Sequence, residues 1–269
     1  MDWLRELSGG EKALIGMVHV GSLPGTPASA MPMPRLIDQA VRDATVLKDA
    51  GFDAIIVENM HDTPYVHGSA IGPEIVAAMS VVAREVRRAA NLPMGVQILS
   101  GGNRHALGVA HATGGEFIRC ENFVYAHIAD EGLLAEAEAG ALLRERRRIG
   151  AEAVAIACDI RKKHASHALT ADLTIGDMAH AAAFFGADAL IVTGAWTGRE
   201  ANPADITEAK AASGLPVLVG SGVTPNNVGA MLAEAEGVIV GSSIKAEGSW
   251  RNPVDPERAE ALVKAARKG

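Results

Sequence analysis

Short apolar runs recur along the chain and alternate with longer segments of helical periodicity. They are continuously apolar, rich in Val, Ile and Ala, and cover residues 13–18, 54–57, 94–99, 116–120, 153–158, 189–192, 216–219 and 237–240. Continuous apolar runs of this length are typical of strands buried on both faces. Their alternation with helices predicts eight parallel strands joined by right-handed crossovers.

One helix-to-strand joint occurs three times, before the second, fifth and sixth apolar runs. Each copy has a glycine, then an acidic residue two positions later, then the strand: Gly51 with Asp53, Gly150 with Glu152, and Gly186 with Asp188. Glycine can adopt the left-handed conformation that ends a helix. The repetition indicates that one βα unit has been reused.

Helix starts are also marked along the chain. Thr174 with Asp177 predicts a capping box, and Asn202, Thr224 and Asp255 each precede a proline that would open a helix. These starts leave no long linker, so residues 1–269 are expected to form one domain. Residues 21–34, rich in Pro, Gly and Met, are the exception and predict a loop that could act as a lid.

The fold class follows from where the glycine-rich turns lie. No G-x-G-x-x-G follows the first strand, which argues against an open dinucleotide-binding sheet. Glycine-rich turns instead follow strands seven and eight, where barrels commonly bind phosphate. Together with a length of 269 residues and 48% hydrophobic composition, this predicts an α/β fold, a single (β/α)8 TIM barrel.

Charge and composition exclude several classes of function. A net charge of −7 argues against binding to a nucleic acid polymer. No apolar run approaches the ~18 residues of a membrane span and no signal peptide is apparent, so we expect no membrane insertion and a cytoplasmic location. The basic run at residues 144–148 suits a solvated helix end, and Cys120 and Cys158 suit buried thiols.

Polar residues at the ends of the predicted strands should converge on the mouth of the barrel. Glu58 and Asp159 could act as acid and base or hold a divalent cation, or could pair with Arg119 or Lys163. His19 is an equal candidate for catalysis and for a structural hydrogen bond. The remaining candidate substrate contacts are Asn59, Asp62, Gln97, Arg119, Glu121, Lys163, His164 and Thr193.

The two glycine-rich turns predict an anion site of phosphate size. Backbone N–H groups from both turns, and a helix that Pro225 would open, can point at one anion. The phosphate-binding candidates are Gly220, Ser221, Gly222, Gly241, Ser242, Ser243 and, as a point charge, Lys245. Trp196 and Tyr65 are candidates for the pocket wall.

Several strings resemble those of one known family, over nearly the whole chain. They are IGMVH at residues 15–19, VEN at 57–59, GVQIL at 95–99, FIR at 117–119, VTG at 192–194 with Thr197 and Gly198, and VGSSIK at 240–245. The sequence thereby resembles the BtpA/SgcQ family. The resemblance implies a barrel of the ribulose-phosphate-binding type, with Thr197 among its site residues. The string SGGN at residues 100–103 departs from the Arg-Asn-Asp that is usual in that family.

These observations favour an enzyme that acts on a phosphorylated sugar or nucleoside. Nucleosidase-, lyase- and isomerase-like steps by general acid–base chemistry all fit, with Glu58 and Asp159 as the proton-handling pair. The resemblance also implies an alternative, a non-catalytic biogenesis or stability factor for a membrane complex such as photosystem I. The helix predicted around residues 131–148 argues against this alternative, because it is rich in charged residues and alanine. A ligand-sensing barrel is the third hypothesis. A divalent cation is a candidate cofactor, and a homo-oligomer is expected.

Overall fold

Eight parallel strands close into a barrel in the computed structural model, which describes residues 3–10, 12–194 and 200–268. We number the strands in chain order: β1 Ala13–His19, β2 Ala54–Glu58, β3 Met94–Gln97, β4 Phe117–Cys120, β5 Ala155–Ile160, β6 Ala189–Val192, β7 Val217–Val219 and β8 Gly237–Val240. Strand β1 pairs in parallel with β8, with Ala13 opposite Gly237 and Gly16 opposite Val240. The predicted (β/α)8 TIM barrel is therefore confirmed.

A helix follows every strand of the barrel, and one short helix precedes β1. The helices are α1 Trp3–Leu7, α2 Met33–Ala50, α3 Pro73–Ala90, α4 Asn103–Thr113, α5 Ala139–Arg148, α6 Ile175–Phe184, α7 Pro203–Ser213, α8 Val228–Glu234 and α9 Pro256–Ala266. Within the described ranges, none of them has both the length and the apolar character that a membrane span requires.

The repeated joint has the predicted backbone conformation. Gly51, Gly150 and Gly186 have φ angles of 95°, 71° and 86°. Two of the acidic residues then bind the start of the neighbouring strand; at Asp188, Oδ2 accepts the backbone N–H of Ile156 at 2.8 Å. Asp53 accepts the backbone N–H of Leu14 in the same way. Two acidic residues outside the repeated joint do the same, Glu116 for Met94 and Glu236 for Val217. The short acidic loop thus fixes one strand against the next.

Two of the predicted helix boundaries are wrong. Helix α8 begins at Val228, not at Pro225, because Thr224 and Asn227 first close a turn in which the Asn227 side chain accepts the Thr224 N–H at 2.8 Å. The helix expected around residues 131–148 begins only at Ala139. The residues before it form a small antiparallel sheet, in which Gly132–Leu134 pairs with His127–Ala129 and that strand pairs with Ala165–Ser166.

The other predicted caps are confirmed. Thr174 and Asp177 form a reciprocal capping box at the start of α6. Asn202 and Asp255 accept backbone N–H groups at the starts of α7 and α9, each directly before a proline. These caps satisfy amides that would otherwise be left without partners at the helix ends.

Small side chains and one aromatic ring fill the interior of the barrel. The interior core consists of Leu4, Ala13, Ile15, Met17, Ala54, Ile56, Phe117, Ala155, Ala157, Ala189, Ile191, Leu218 and Ile239. The Phe117 ring takes the space beside Gly95, where an added Cβ would lie 2.4 Å from it. Helix α1 covers the N-terminal end, with Leu4 buried and the Trp3 ring 5.3 Å from that of Phe117. The opposite, C-terminal end is therefore the open one.

The acidic joint can be tested through Asp188 and its counterpart Glu152, whose carboxylate only pairs with Arg147 at the surface. Replacing Asp188 with Ala removes an acceptor for a strand amide and for Arg146, and should lower the free energy of unfolding by about 1–3 kcal/mol. The matched Glu152→Ala variant should leave it unchanged within error. Urea denaturation of both variants measures this, and equal losses would contradict the structural role of Asp188.

Candidate functional site

A cavity of about 310 Å³ opens at the C-terminal end of the barrel. The residues that line it come from the ends of β1, β2, β4, β7 and β8, from the loops after β2, β5, β7 and β8, and from the first turn of α9. They include His19, Glu58, Arg119, Lys163, Gly220, Ser221, Gly222, Gly241, Ser242, Ser243, Trp250 and Arg258. The barrel thus gathers the two glycine-rich turns and four ionisable candidates around one space.

The two turns face that space from adjacent strands. Gly222 has a φ of 70°, which favours glycine, and its carbonyl accepts the side chain of Asn227. In the part of the chain that the structure describes, no acceptor takes the backbone N–H groups of Gly222, Ser242 or Ser243. Unpaired amides of this kind are the donors that bind phosphate. Because α8 begins only at Val228, the donors belong to the turns themselves and not to the first turn of a helix.

Glu58 and His19 form the opposite wall of the cavity. His19 Nε2 lies 3.6 Å from Glu58 Oε2, and His19 Nδ1 donates to the carbonyl oxygen of Trp250 at 2.9 Å. Burial raises the pKa of Glu58, although Arg119 and Lys163 oppose the shift. Burial, together with the charge of Lys245, holds the pKa of His19 well below its usual range. A neutral imidazole therefore presents its Nε2 lone pair to a carboxyl group that retains its proton to unusually high pH.

Asp159 pairs with Arg119, which is one of the two alternatives that the sequence left open for it. Its two oxygens accept from Arg119 Nε and Nη2, both at 2.8 Å, and both side chains are buried. Burial disfavours the charged guanidinium, but the charge and hydrogen bonds of Asp159 outweigh it and raise the pKa of Arg119. Both oxygens of Asp159 are thus engaged by the Arg119 guanidinium. Its place at the end of β5 serves to orient Arg119.

The same pairing removes the cation site predicted between Glu58 and Asp159. A guanidinium already neutralises Asp159, so a divalent ion at that position would have to compete with a bidentate pair in a buried setting. Across the described ranges, no group of three or more His, Cys, Asp or Glu side chains is arranged to hold a metal ion.

A second cavity of about 230 Å³ adjoins the first. The two share Glu58, Met60, Arg119, Lys163 and Trp250. The second extends toward the ends of β3, β4 and β5 and the loop after β2, where Tyr65, Gln97, Glu121, Asp159 and His164 line it. Gln97 is buried, and its Oε1 has no hydrogen-bond partner among the described residues. The site therefore has two lobes, an anion lobe and a polar lobe, joined at Glu58, Arg119 and Lys163.

Three further predicted substrate contacts, Glu121, His164 and Thr193, lie at the polar lobe or beside the anion lobe. Glu121 is buried and is held by Lys162 at 3.2 Å and by the backbone N–H of Gly101 at 2.9 Å. His164 is about 40% exposed, with Nδ1 4.0 Å from Asp130. Thr193 lies against Gly220, and its hydroxyl has no hydrogen-bond partner in the described structure. Thr197 and Trp196 lie outside the described residues.

Asn59 and Asp62 hold loops together instead of lining either lobe. Asn59 donates to Asp62 at 2.8 Å and accepts the backbone N–H of Leu99 at 2.7 Å. Asp62 accepts the backbone N–H of Leu23 at 2.8 Å, which fixes the start of the predicted lid loop. Both side chains form hydrogen bonds within and between the loops after β1, β2 and β3. The structure therefore places both outside the two lobes, and their role in substrate binding stays a prediction.

Trp250 is a site residue that the sequence analysis missed. It lines both lobes, its carbonyl holds His19, and its ring lies 5.2 Å from that of His61 and 4.4 Å from the guanidinium of Arg251. The signal was weak, a tryptophan in the long loop after β8, beyond the glycine-rich turn. Tyr65, which was predicted for the wall, lines the polar lobe and donates to the Met60 carbonyl at 2.7 Å.

Comparison with known proteins agrees with this architecture. The BtpA family model matches residues 10–268. This chain belongs to the BtpA family. A relative in Caenorhabditis elegans, an uncharacterized mitochondrial protein, is 42% identical over 96% of this chain and 94% of its own length. A Synechocystis relative, named photosystem I biogenesis protein BtpA, is 34% identical over 95% of this chain and 88% of its own length.

Solved structures of low sequence identity share the fold of this BtpA-family protein. Thiamine phosphate pyrophosphorylase from Pyrococcus furiosus has a TM-score of 0.59 at 12% identity, with 96% of each chain covered. Orotidine 5'-monophosphate decarboxylase from Methanocaldococcus jannaschii has a TM-score of 0.58 at 14% identity, covering 95% of this chain and 98% of the other. At such identities the likeness shows the barrel fold alone.

Lys245 does not reach the anion lobe of this BtpA-family barrel, contrary to the sequence-based expectation. Its side chain is 0% exposed, and Nζ donates to Asp43 Oδ2 at 2.9 Å. Asp43 also accepts the backbone N–H of Val254 at 3.0 Å. Burial lowers the pKa of Lys245, although Asp43 opposes the shift. The lysine after the eighth strand therefore anchors the loop before α9 onto α2.

Removing one partner of this pair leaves a buried, uncompensated charge. We expect Lys245→Met to lower the free energy of unfolding by about 3–5 kcal/mol. The double variant with Asp43→Asn should recover part of that loss, because the remaining side chain is neutral and still accepts the Val254 N–H. Urea denaturation of the two single variants and the double variant gives the coupling; purely additive losses would contradict the buried ion pair.

Proposed function

We propose that this protein is an enzyme acting on a phosphorylated sugar or nucleoside by general acid–base catalysis. One observation carries the proposal: a single cavity has unpaired backbone amides of two glycine-rich turns on one side and Glu58, His19, Arg119 and Lys163 on the other. A site that binds an anion at one end and holds proton donors and acceptors at the other suits a phosphate ester that reacts at its sugar carbons.

Each side chain has a role that follows from its surroundings. The turns after β7 and β8 would bind the phosphate group. Glu58, whose pKa burial raises, would donate a proton to a leaving or carbonyl oxygen, and His19 Nε2 would accept one. Arg119, held by Asp159, would stabilise negative charge that develops on the substrate. Cleavage of a glycosidic bond, a lyase step and an aldose–ketose isomerisation all remain compatible with this set.

The names of the structural neighbours support the choice of substrate class. Thiamine phosphate pyrophosphorylase and orotidine 5'-monophosphate decarboxylase are both named for phosphate-bearing compounds. Both share the barrel fold with this chain, and barrels of this fold commonly bind phosphate at the turns after their last two strands. A phosphorylated small molecule is therefore the ligand that we propose for this chain.

The anion lobe is tested by charge at Ser242, whose side chain lines the cavity while its backbone N–H supplies the proposed donor. Ser242→Asp places a carboxylate beside the phosphate and should weaken binding of inorganic phosphate by at least about tenfold. Ser242→Ala keeps the backbone donor and should change affinity little. Isothermal titration calorimetry measures the affinity of both variants for inorganic phosphate. Equal affinity in the two variants would contradict the proposed anion site.

Glu58 is tested by replacement with Gln, which removes the mobile proton and keeps the shape. We expect turnover of the active sugar phosphate or nucleoside to fall about 100-fold or more, while binding of inorganic phosphate is retained. A matched change at the exposed Glu257, Glu257→Gln, should leave turnover unchanged. Turnover of the Glu58→Gln variant at the native rate would exclude Glu58 as the catalytic acid.

The same variant has a defined dependence of stability on pH. Because the folded protein binds the Glu58 proton more tightly than the unfolded chain, wild-type stability contributed by this group falls as pH rises from about 4.5 through the raised pKa. Glu58→Gln lacks this loss, so its stability relative to wild type should increase over that window. Urea denaturation at pH 4 and pH 8 checks the sign, and a variant that becomes relatively less stable at pH 8 would contradict the raised pKa.

An assembly factor is the second candidate, favoured by the name of the Synechocystis relative. Exposed apolar surface is what such a role requires, and Phe184 and Phe185 at the end of α6 are 80% and 50% exposed. A ligand-sensing barrel is the third candidate. A panel of sugar phosphates and nucleosides separates the three candidates. Turnover of a compound supports the enzyme, and thermal stabilisation of the protein without turnover supports the sensor. Absence of both effects favours the assembly factor. A cytoplasmic location and a homo-oligomer stay predictions.

A further inference from the structure

Lys163 occupies the junction between the two lobes. It lies three residues beyond the end of β5 and lines both the anion lobe and the polar lobe, as Glu58 and Arg119 do. Its side chain is partly exposed, and the space it faces is that of the cavities. A molecule with its phosphate in the glycine-rich turns and its remaining groups in the polar lobe would therefore pass this amine.

The amine of Lys163 is unlike those of its neighbours. Lys162 is held by Glu121 at 3.2 Å and by Glu131 at 3.1 Å, and Lys245 is held by Asp43 at 2.9 Å. Within residues 3–10, 12–194 and 200–268, no hydrogen bond or ion pair joins the Lys163 ammonium to another side chain. Asp159, the last residue but one of the same strand, is already bound by Arg119 on both oxygens. Lys163 is therefore left with its nitrogen available to a ligand.

The surroundings also favour the neutral, nucleophilic form of this amine. Burial and the charge of Arg119 lower the pKa of Lys163, while the carboxylates of Glu58, Asp159 and Glu121 only partly oppose the shift. Desolvation near another cation is a recognised way to activate a lysine for attack on a carbonyl group. Glu58, whose pKa burial raises, lines the same two cavities and would supply the acid that such an attack needs.

We propose that Lys163 forms a Schiff base with the carbonyl group of an open-chain sugar phosphate whose phosphate binds the turns at Gly220–Gly222 and Gly241–Ser243. This inference rests on the proposed function and makes it narrower: the substrate class is a phosphorylated aldose or ketose, and Lys163 is a catalytic residue. It favours the lyase- or isomerase-like step over hydrolysis of a glycoside, because a closed glycoside offers no carbonyl carbon to the amine.

The step balances without an outside oxidant or reductant. The Lys163 nitrogen attacks the carbonyl carbon, and the carbonyl oxygen takes a proton to give a carbinolamine. Glu58 then supplies a proton as the hydroxyl group leaves as water, which forms the C=N bond. The protonated imine accepts the electron pair released when a neighbouring C–H or C–C bond breaks, and His19 Nε2 takes the proton that leaves that C–H group or the hydroxyl group of the departing carbonyl fragment. Return of a proton to carbon then converts the resulting enamine back to the protonated imine. Hydrolysis by the reverse steps returns the free amine and the product carbonyl compound.

Pyridoxal 5'-phosphate is a suitable probe, since it carries an aldehyde and a phosphate ester, and pyridoxal is its matched control without the phosphate. After borohydride reduction and peptide mass mapping, we expect the pyridoxal 5'-phosphate adduct at Lys163 to exceed the pyridoxal adduct by about tenfold. Inorganic phosphate should suppress it. Lys163→Arg should abolish the adduct, whereas Lys264→Arg at the exposed surface should not change it.

The same trapping with ribose 5-phosphate, ribulose 5-phosphate and glyceraldehyde 3-phosphate extends the test to sugars. A reduced adduct at Lys163 that competes with inorganic phosphate supports the proposal. Adducts spread over surface lysines, or an adduct at Lys163 that phosphate does not suppress, would overturn it. Failure of the Schiff-base proposal alone would leave phosphate binding intact, with its sensitivity to Ser242→Asp. If phosphate binding is also absent, the proposed function itself fails.

Discussion

Closure of the barrel by β1 and β8 is the constraint on which the site depends. The register that sets Gly16 opposite Val240 brings His19 beside Gly241, where an added Cβ would lie 3.7 Å from the imidazole. No local interaction could join groups so far apart in the chain. The apolar interior supplies the driving force, since its thirteen buried residues come from α1 and from strands along the whole chain and pack together inside the closed barrel.

Electrostatics at the mouth then decides which protons can move. Arg119 and Asp159 satisfy each other, and Lys162 is satisfied by Glu121 and Glu131, so these buried charges stay fixed. Glu58 and Lys163 share the same low-dielectric setting without a bidentate partner. Burial disfavours the charged form of each, which raises the pKa of Glu58 and lowers the pKa of Lys163. The fixed pairs thus hold the scaffold, while the two remaining groups are suited to proton transfer and nucleophilic attack.

Local pattern was sufficient to predict the strands, the three left-handed glycines and most helix caps, because each depends on a few neighbouring residues. The partner of a charged side chain was not predictable in this way. Asp159 and Lys245 both follow strands that end at the mouth, yet one binds Arg119 and the other binds Asp43 across the barrel wall. Which partner wins depends on distances that only the closed barrel sets. Trp250 was missed for the same reason, since its loop must fold back over β1 to reach His19.

A crystal structure of the protein with ribose 5-phosphate bound is the measurement that tests the central claim most directly. We expect the phosphate oxygens to lie within about 2.7–3.2 Å of the backbone nitrogens of Gly222 and Ser242, with the sugar extending toward Glu58 and Lys163. Phosphate bound elsewhere on the barrel, or a sugar that extends away from Glu58, would contradict it.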